Sequence, residues 1–175
     1  DKARNIMLDD GDSIQVENII LTGDSSCLVT NSSYKYNMAK TLYFSSRIEP
    51  AKGDYIHLFP CDDLINNIAV PTSISSTYTR NSDQLISVTI LGNDLPEIDL
   101  IKDVQSRLVN YYGGENGNYE FLKCLEIKKG TLSQLVGHFD RPSFVHDNIF
   151  IAGEQDTNGS IEGAVISGLN VANLI

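Results

Sequence analysis

Residues 148–172 read NIFIAGEQDTNGSIEGAVISGLNVA, and they are the most informative segment of the chain. A short apolar run ends at Gly153-Glu154, a polar loop follows, and Ser160 is placed to begin a helix with small residues along one side. The pattern predicts a buried strand that leads to a helix N-terminus. Such an N-terminus presents free backbone N–H groups and the positive end of the helix dipole, which favour an anion or an electron-rich ring.

A segment near the start of the chain has a related pattern. Residues 18–24 read NIILTGD, an apolar run that ends at Gly23-Asp24. Before it, apolar and polar residues alternate on both sides of the turn-forming residues 9–12, which predicts a hairpin. The sequence therefore predicts a hairpin and a buried strand at one end of the chain, and a strand and a helix at the other.

These two segments resemble, in the order that the family requires, the carboxyl-terminal flavin-binding part of the FAD-dependent amine oxidase and phytoene desaturase superfamily. Members of that family open with a strand, a G-x-G-x-x-G turn that holds the pyrophosphate, and a helix. No G-x-G-x-x-G occurs in these 175 residues. We therefore expect the chain to be the carboxyl-terminal part of a longer flavoprotein, with the amino-terminal FAD-binding portion of the same protein as its partner.

The resemblance implies which residues bind FAD. The backbone at Gly153 is expected to lie against the pyrophosphate or ribityl chain, with the Glu154 carboxylate accepting a hydrogen bond from a ribityl hydroxyl. A first-turn N–H, that of Ile161, is expected to point at the pyrimidine oxygen of the ring. The full set of expected cofactor-binding residues is Gly153, Glu154, Ser160, Ile161, Glu162 and Ala164.

Simpler explanations of the same residues stay open. Gly153-Glu154 is also typical of an ordinary turn at the end of a strand, and Ser160 is a good N-cap residue without any ligand. Gly163 and Gly168 each cost about 1 kcal/mol relative to alanine inside a helix, so they need a reason. We expect close packing against a neighbouring backbone, which the resemblance implies is the glycine-rich first helix of the FAD domain.

The middle of the chain predicts a sheet covered by one helix. Segments typical of strands are 41–44, 55–59, 65–71, 84–92 and 119–128. In 84–92 apolar residues alternate with polar ones, which predicts a central strand with one buried face. Residues 130–142 are interpreted as a loop that could contain a helical turn.

The helix is predicted from about Leu95 to Tyr112, with Asp94 and Glu97 forming a start like a capping box and Gly113 ending it. Pro96 would then lie in the first turn, where proline is tolerated. The apolar stripe predicted to cover the sheet is Ile98, Ile101, Val104, Leu108 and Tyr111.

We therefore predict an α+β fold. A mainly antiparallel substrate-domain sheet with its covering helix joins the last strand and helix pieces of an FAD/NAD(P)-binding domain whose Rossmann start is missing. The expected divisions are 1–35 for a remnant of the FAD-binding domain, 36–145 for a substrate-binding-type domain and 146–175 for the terminal FAD-binding strand and helix.

Composition excludes several classes of function. A net charge of −10 opposes binding to nucleic acid, and no apolar stretch approaches the roughly 20 residues of a membrane span. The cysteines, Cys27, Cys61 and Cys124, suggest neither a disulfide framework nor a metal knuckle, so we expect the cytoplasm.

No metal site or catalytic side chain can be identified from the sequence. The histidines, His57, His138 and His146, have no cysteine or carboxylate at ligand spacing, so a metal site is not expected. Three aromatic residues of the predicted strands could line a substrate cavity, although such residues are more often part of a core. They are Tyr43, Tyr55 and Phe59.

The resemblance implies that the complete protein removes a hydride from a C–N or C–C bond of a small organic substrate and passes it to FAD. The isolated chain is expected to be inactive and to retain no FAD. The alternative is a stand-alone, non-catalytic α+β binding module that has lost FAD. A coding region upstream of Asp1 that contains G-x-G-x-x-G would favour the enzyme over the module.

Overall fold

The computed structural model describes residues 5–23, 34–50, 54–92, 95–134 and 144–175. The chain divides into two compact units. The first is made of Asp1–Tyr36 and Thr131–Ile175, and the second of Asn37–Gly130. The fold is mixed α+β, as the sequence predicts.

The second unit is built on a five-stranded sheet with the strand order β5-β6-β7-β4-β8. Its strands are β4 (Tyr36–Ser46), β5 (His57–Leu58), β6 (Ile65–Ala69), β7 (Gln84–Leu91) and β8 (Tyr119–Leu132). The short helix α1 (Pro71–Ile74) follows β6, and α2 (Glu97–Tyr112) follows β7. Since β7 pairs antiparallel with both β4 and β6, the predicted central strand is confirmed.

The core lies between β7 and its neighbouring strands on one side and α2 on the other. The alternating residues Ile86, Val88 and Ile90 are buried, as the period of two predicts. They belong to the same cluster of buried residues as Leu100 and Val104 of α2. The predicted covering helix is therefore confirmed.

The face of α2 that meets the sheet agrees with the predicted stripe at Val104, Leu108 and the partly buried Ile101, and differs from it at Ile98 and Tyr111. Leu100, Val104 and Leu108, spaced four residues apart, are fully buried, whereas Ile98 is 64% exposed and Tyr111 42% exposed. Ile98 was wrongly placed in the stripe because two residues correspond to about 200° around a helix, so it faces away from Leu100.

The ends of α2 agree with the prediction only in part. The helix begins at Glu97 with Pro96 as its N-cap residue and no side-chain cap, so Pro96 precedes the first turn. Asp94 lies outside the described residues. Gly113 ends the helix with a positive φ of 84° and donates its N–H to the Val109 carbonyl, 2.8 Å away. That conformation favours glycine.

The first unit contains a hairpin, a small sheet and a helix. The predicted hairpin is confirmed as β1 (Asn5–Met7) paired with β2 (Ser13–Gln15). The sheet has the order β3-β10-β9, with β3 (Ile19–Thr22), β9 (Phe144–His146) and β10 (Ile149–Ala152). Helix α3 (Ile161–Ala172) packs its Val171 against Phe150 and Ala152 of β10.

Candidate functional site

The two predicted strand ends, at Thr22-Gly23 and at Ala152-Gly153, lie side by side in the first unit. Asp24 lies outside the described residues. β10 pairs parallel with β3, from Ile149 opposite Ile19 to Ala152 opposite Thr22. Parallel strands end at the same edge of a sheet, so the turn after Thr22 and the turn after Ala152 meet there. Gly23 has a positive φ of 56°, which favours glycine in this turn.

Helix α3 begins at this edge. Ser160 is its N-cap residue, as the sequence predicts, and its hydroxyl oxygen accepts a hydrogen bond from the Gly163 N–H at 3.0 Å. Among the described residues, none accepts a hydrogen bond from the N–H of Ile161 or of Glu162. The first turn therefore offers two backbone donors at the N-terminus of a 12-residue helix.

The loop between β10 and α3 is held by Gln134, which sequence reasoning missed. Its Nε2 donates to the carbonyls of Glu154 at 3.2 Å and Thr157 at 2.9 Å, and its Oε1 accepts from the Gly159 N–H at 2.8 Å. A glutamine 20 residues before the loop gives no pattern in the sequence. This side chain fixes the loop that carries the predicted site residues.

The same loop lies so close to position 163 that it leaves no room for a side chain there. A Cβ at this position would overlap the Asn158 carbonyl and lie 2.8 Å from Thr157 Oγ1. The Thr157 hydroxyl also donates to the Gly163 carbonyl at 2.7 Å. The predicted close packing against backbone is therefore present at Gly163, where the partner is the preceding loop, but not at Gly168, where a Cβ would meet none of the described residues within 4 Å.

A cleft of about 570 Å³ opens where these elements meet. Its volume falls within the range of small-molecule sites. Its lining residues are Thr22, Gly23, Ala152, Gly153, Glu154, Gln155, Ser160, Ile161, Ala164 and Gly168.

The structure brings most of the expected cofactor-binding residues to this cleft. Gly153, Glu154, Ser160, Ile161 and Ala164 line it, whereas Glu162 is exposed and lies outside the lining. The cleft also includes residues that the sequence did not identify. Thr22 and Gly23 could have been found from the matching strand end, but nothing in the sequence distinguishes Gln155.

Gln155 is the polar residue most enclosed in the cleft wall. It is 4% exposed, and its Nε2 is buried without a hydrogen-bond partner among the described residues. Buried amide donors in native proteins are almost always paired, so this one requires an explanation.

The aromatic residues proposed for a substrate cavity have different surroundings. Phe59 packs against the core of the second unit and stacks on Tyr111 with ring centroids 4.4 Å apart. Tyr43 is half-buried on β4, and Tyr55 is 72% exposed and so is not a core residue.

His57 has a polar partner on α2. Its Nδ1 is hydrogen-bonded to the Tyr112 hydroxyl at 2.8 Å. Burial raises the pKa of Tyr112 to about 12. Within the described ranges, no group of three or more His, Cys, Asp or Glu side chains could hold a metal ion. His138 and the His146 side chain lie outside the described residues.

The helices that the structure describes include none long and apolar enough to cross a membrane. No family model matches the chain, and no curated protein matches it.

Two solved structures share the fold over 98% of this chain. The PF1083 protein from Pyrococcus furiosus has a TM-score of 0.69 at 14% identity, and an oxidoreductase from Methanosarcina mazei has a TM-score of 0.66 at 12% identity. The chain spans 44% and 46% of these structures, less than half of each. At such identities the likeness establishes the fold.

Proposed function

We propose that the protein is an FAD-dependent oxidoreductase of the amine oxidase and phytoene desaturase type, acting on a small organic substrate. The cleft at the ends of β3 and β10 carries this proposal. Open α/β sheets bind nucleotides beyond the carboxyl ends of parallel strands, next to a helix N-terminus. The M. mazei protein, described as an oxidoreductase, supports the same class of reaction.

The residues of the cleft fit a flavin nucleotide. The Glu154 carboxylate can accept hydrogen bonds from ribityl hydroxyls, and the N–H groups of Ile161 and Glu162 can donate to a phosphate or to a ring oxygen. Small residues at Gly153, Ala164 and Gly168 leave room for a flat ring or an extended chain. The Gln155 amide adds a donor that no described residue satisfies.

When bound, FAD supplies the acceptor for the hydride that leaves the substrate. The role of this chain would then be to bind and orient the cofactor. Fixed N–H donors at the helix N-terminus favour negative charge on the group that they contact. The loop held by Gln134 keeps these donors and Glu154 in a defined position.

The rest of the FAD-binding domain is the proposed partner of α3. Ile161 is 88% exposed, Val165 56% and Leu169 60%, and because they are spaced four residues apart they form one exposed apolar face of the helix. In the proposed enzyme, the amino-terminal FAD-binding portion packs on these residues.

Purification of the protein at its natural length tests the proposal. We expect bound flavin, identified by its visible absorption and by chromatography of the released cofactor. Gly168→Leu should fill the cleft without disturbing the fold, because a Cβ at Gly168 meets nothing within 4 Å. We expect a roughly ten- to hundredfold loss of FAD affinity, the effect of about 1–3 kcal/mol of overpacking.

Ser106→Leu is the matched control, since it adds the same side chain at an exposed position of α2 in the other unit. It should leave FAD affinity unchanged. A natural-length protein that neither retains nor rebinds FAD would refute the proposed function. Equal FAD affinity in the Gly168→Leu variant and the parent would remove this cleft as the site.

A further inference from the structure

The side chain of Gln155 is buried beside the cleft, against Gly153. The residue lies in the turn of Glu154–Asp156 between β10 and α3 and is among those that line the cleft. Its amide lies directly against Gly153, in the space that a side chain at 153 would occupy. A glycine at 153 is therefore what allows the amide to lie beside the cleft.

The neighbouring polar groups are already used within the fold. Both ends of the Gln134 amide hold the loop backbone. The Ser167 hydroxyl accepts from the Gly153 N–H at 3.0 Å and lies 3.5 Å from an Asp156 carboxylate oxygen. The Gln155 Nε2 is left without a partner among the described residues.

We propose that Gln155 is a ligand-binding residue of this cleft, whose amide N–H donates to an acceptor oxygen of the bound flavin nucleotide. This inference rests on the proposed function. The terminal torsion of a glutamine is soft and roughly two-fold, so the amide can turn its nitrogen toward the cleft while the rest of the side chain stays packed. The nitrogen, which is enclosed in the ligand-free protein, then meets a ligand oxygen at the cleft, and the amide oxygen takes the enclosed position.

The amide of Gln155 complements the carboxylate of Glu154, the residue before it in the sequence. The Glu154 carboxylate only accepts hydrogen bonds, whereas Gln155 brings a neutral donor to the same wall. A phosphate oxygen, a carbonyl oxygen of the pyrimidine ring and a ribityl hydroxyl oxygen can each accept a hydrogen bond from such a donor. The amide therefore adds a donor for a nucleotide oxygen beside the hydroxyls that Glu154 can bind.

The test compares Gln155→Leu with the parent in the natural-length protein after its flavin has been removed. Leucine is similar in size but has no donor. Gln15→Leu, at an exposed position of β2, is the matched control. FAD and riboflavin are titrated separately by quenching of flavin fluorescence, and thermal unfolding of each flavin-free protein is recorded.

We expect Gln155→Leu to weaken FAD binding about tenfold, the effect of one lost hydrogen bond to a ligand, and Gln15→Leu to leave it unchanged. The flavin-free Gln155→Leu protein should unfold at the same or a higher temperature than the parent, because a buried unpaired donor has been removed. A purely structural glutamine would instead give a lower unfolding temperature.

The riboflavin titration locates the acceptor. Weaker binding of both ligands assigns the contact to the ring or ribityl chain, and weaker binding of FAD alone assigns it to a phosphate. If Gln155→Leu binds FAD as tightly as the parent, or its flavin-free form is clearly destabilised, the role of Gln155 is refuted and the proposed function stands. If the parent binds no FAD, the role of Gln155 and the proposed function are both refuted.

Discussion

The hydroxyl oxygen of Ser167, in the middle of α3, accepts a hydrogen bond from the backbone N–H of Gly153 at 3.0 Å. Ser167 is fully buried, and the bond joins the helix to the residue that follows β10. The hydroxyl at 167 therefore pairs a backbone group beside the cleft, which a side chain without an acceptor would leave without this bond.

Ser167→Ala is therefore expected to destabilise the chain. It leaves the Gly153 N–H without its acceptor, which costs about 1–2 kcal/mol. The free energy of unfolding in urea, followed by circular dichroism, measures the effect. Ser106→Ala on the exposed face of α2 is the control, and because its hydroxyl only bonds back to the Lys102 carbonyl, we expect little change. Equal stability of the two variants would show that the Ser167 bond contributes nothing.

The two helical glycines of α3 should respond in opposite directions to the same substitution. Gly163→Ala places a Cβ against the Asn158 carbonyl and should destabilise by about 1–3 kcal/mol, since backbone must move. Gly168→Ala meets open space and should stabilise by up to about 1 kcal/mol, the helix propensity of alanine over glycine. Thermal unfolding of both variants distinguishes them, and a stabilising Gly163→Ala would contradict the tight contact with the loop.

In the second unit, the buried side chain of Asp62 is the centre of a hydrogen-bond network. Its side chain is 1% exposed and accepts from Arg107 at 2.6 Å, from the N–H groups of Leu64 at 2.7 Å and Ile65 at 2.8 Å, and from the Tyr111 hydroxyl. Burial by itself would raise the pKa of Asp62, but these hydrogen bonds outweigh it and hold the pKa well below its usual range.

This network predicts a pH-dependent stability. Because the pKa of Asp62 is lower in the folded than in the unfolded chain, its contribution is present above a pH of about 4 and is lost as the pH falls further. Asp62→Asn should lower the free energy of unfolding by about 2 kcal/mol at pH 7, with a difference from the parent that narrows below pH 4. Urea titrations at several pH values measure it.

Asp63→Asn is the matched control for that experiment. Asp63 also accepts a hydrogen bond from Arg107, at 2.5 Å, but its side chain is 86% exposed, so the pair contributes little. We expect nearly parental stability at every pH. A variant at Asp63 as unstable as Asp62→Asn would show that the charge of Arg107, and not the buried carboxylate, governs the network.

The elements of this fold that are marked by a local pattern of apolar residues could be predicted from the sequence. Three alternating apolar residues were enough to place β7 at the centre of the sheet, and the apolar run with its Gly-acid end was enough to place β10 before α3. The hydrogen bonds that complete the cleft could not be predicted, because Gln134 and Ser167 act through backbone groups that are close only in the folded chain. Side chains that bind distant backbone leave no periodic signal.

The rotation of α2 about its own axis, which decides the side that faces the sheet, was also not fully predicted from the sequence. It can be tested directly. Ile98 and Leu100 are both apolar and both fit a helical stripe, but Leu100 is fully buried while Ile98 is 64% exposed. Leu100→Ala should leave a cavity under the helix and destabilise by about 2–5 kcal/mol. Ile98→Ala should change the free energy of unfolding by less than about 1 kcal/mol, since it loses little buried surface. Urea denaturation of the two variants decides which face of α2 meets the sheet, and a larger loss at Ile98 than at Leu100 would reverse the assignment.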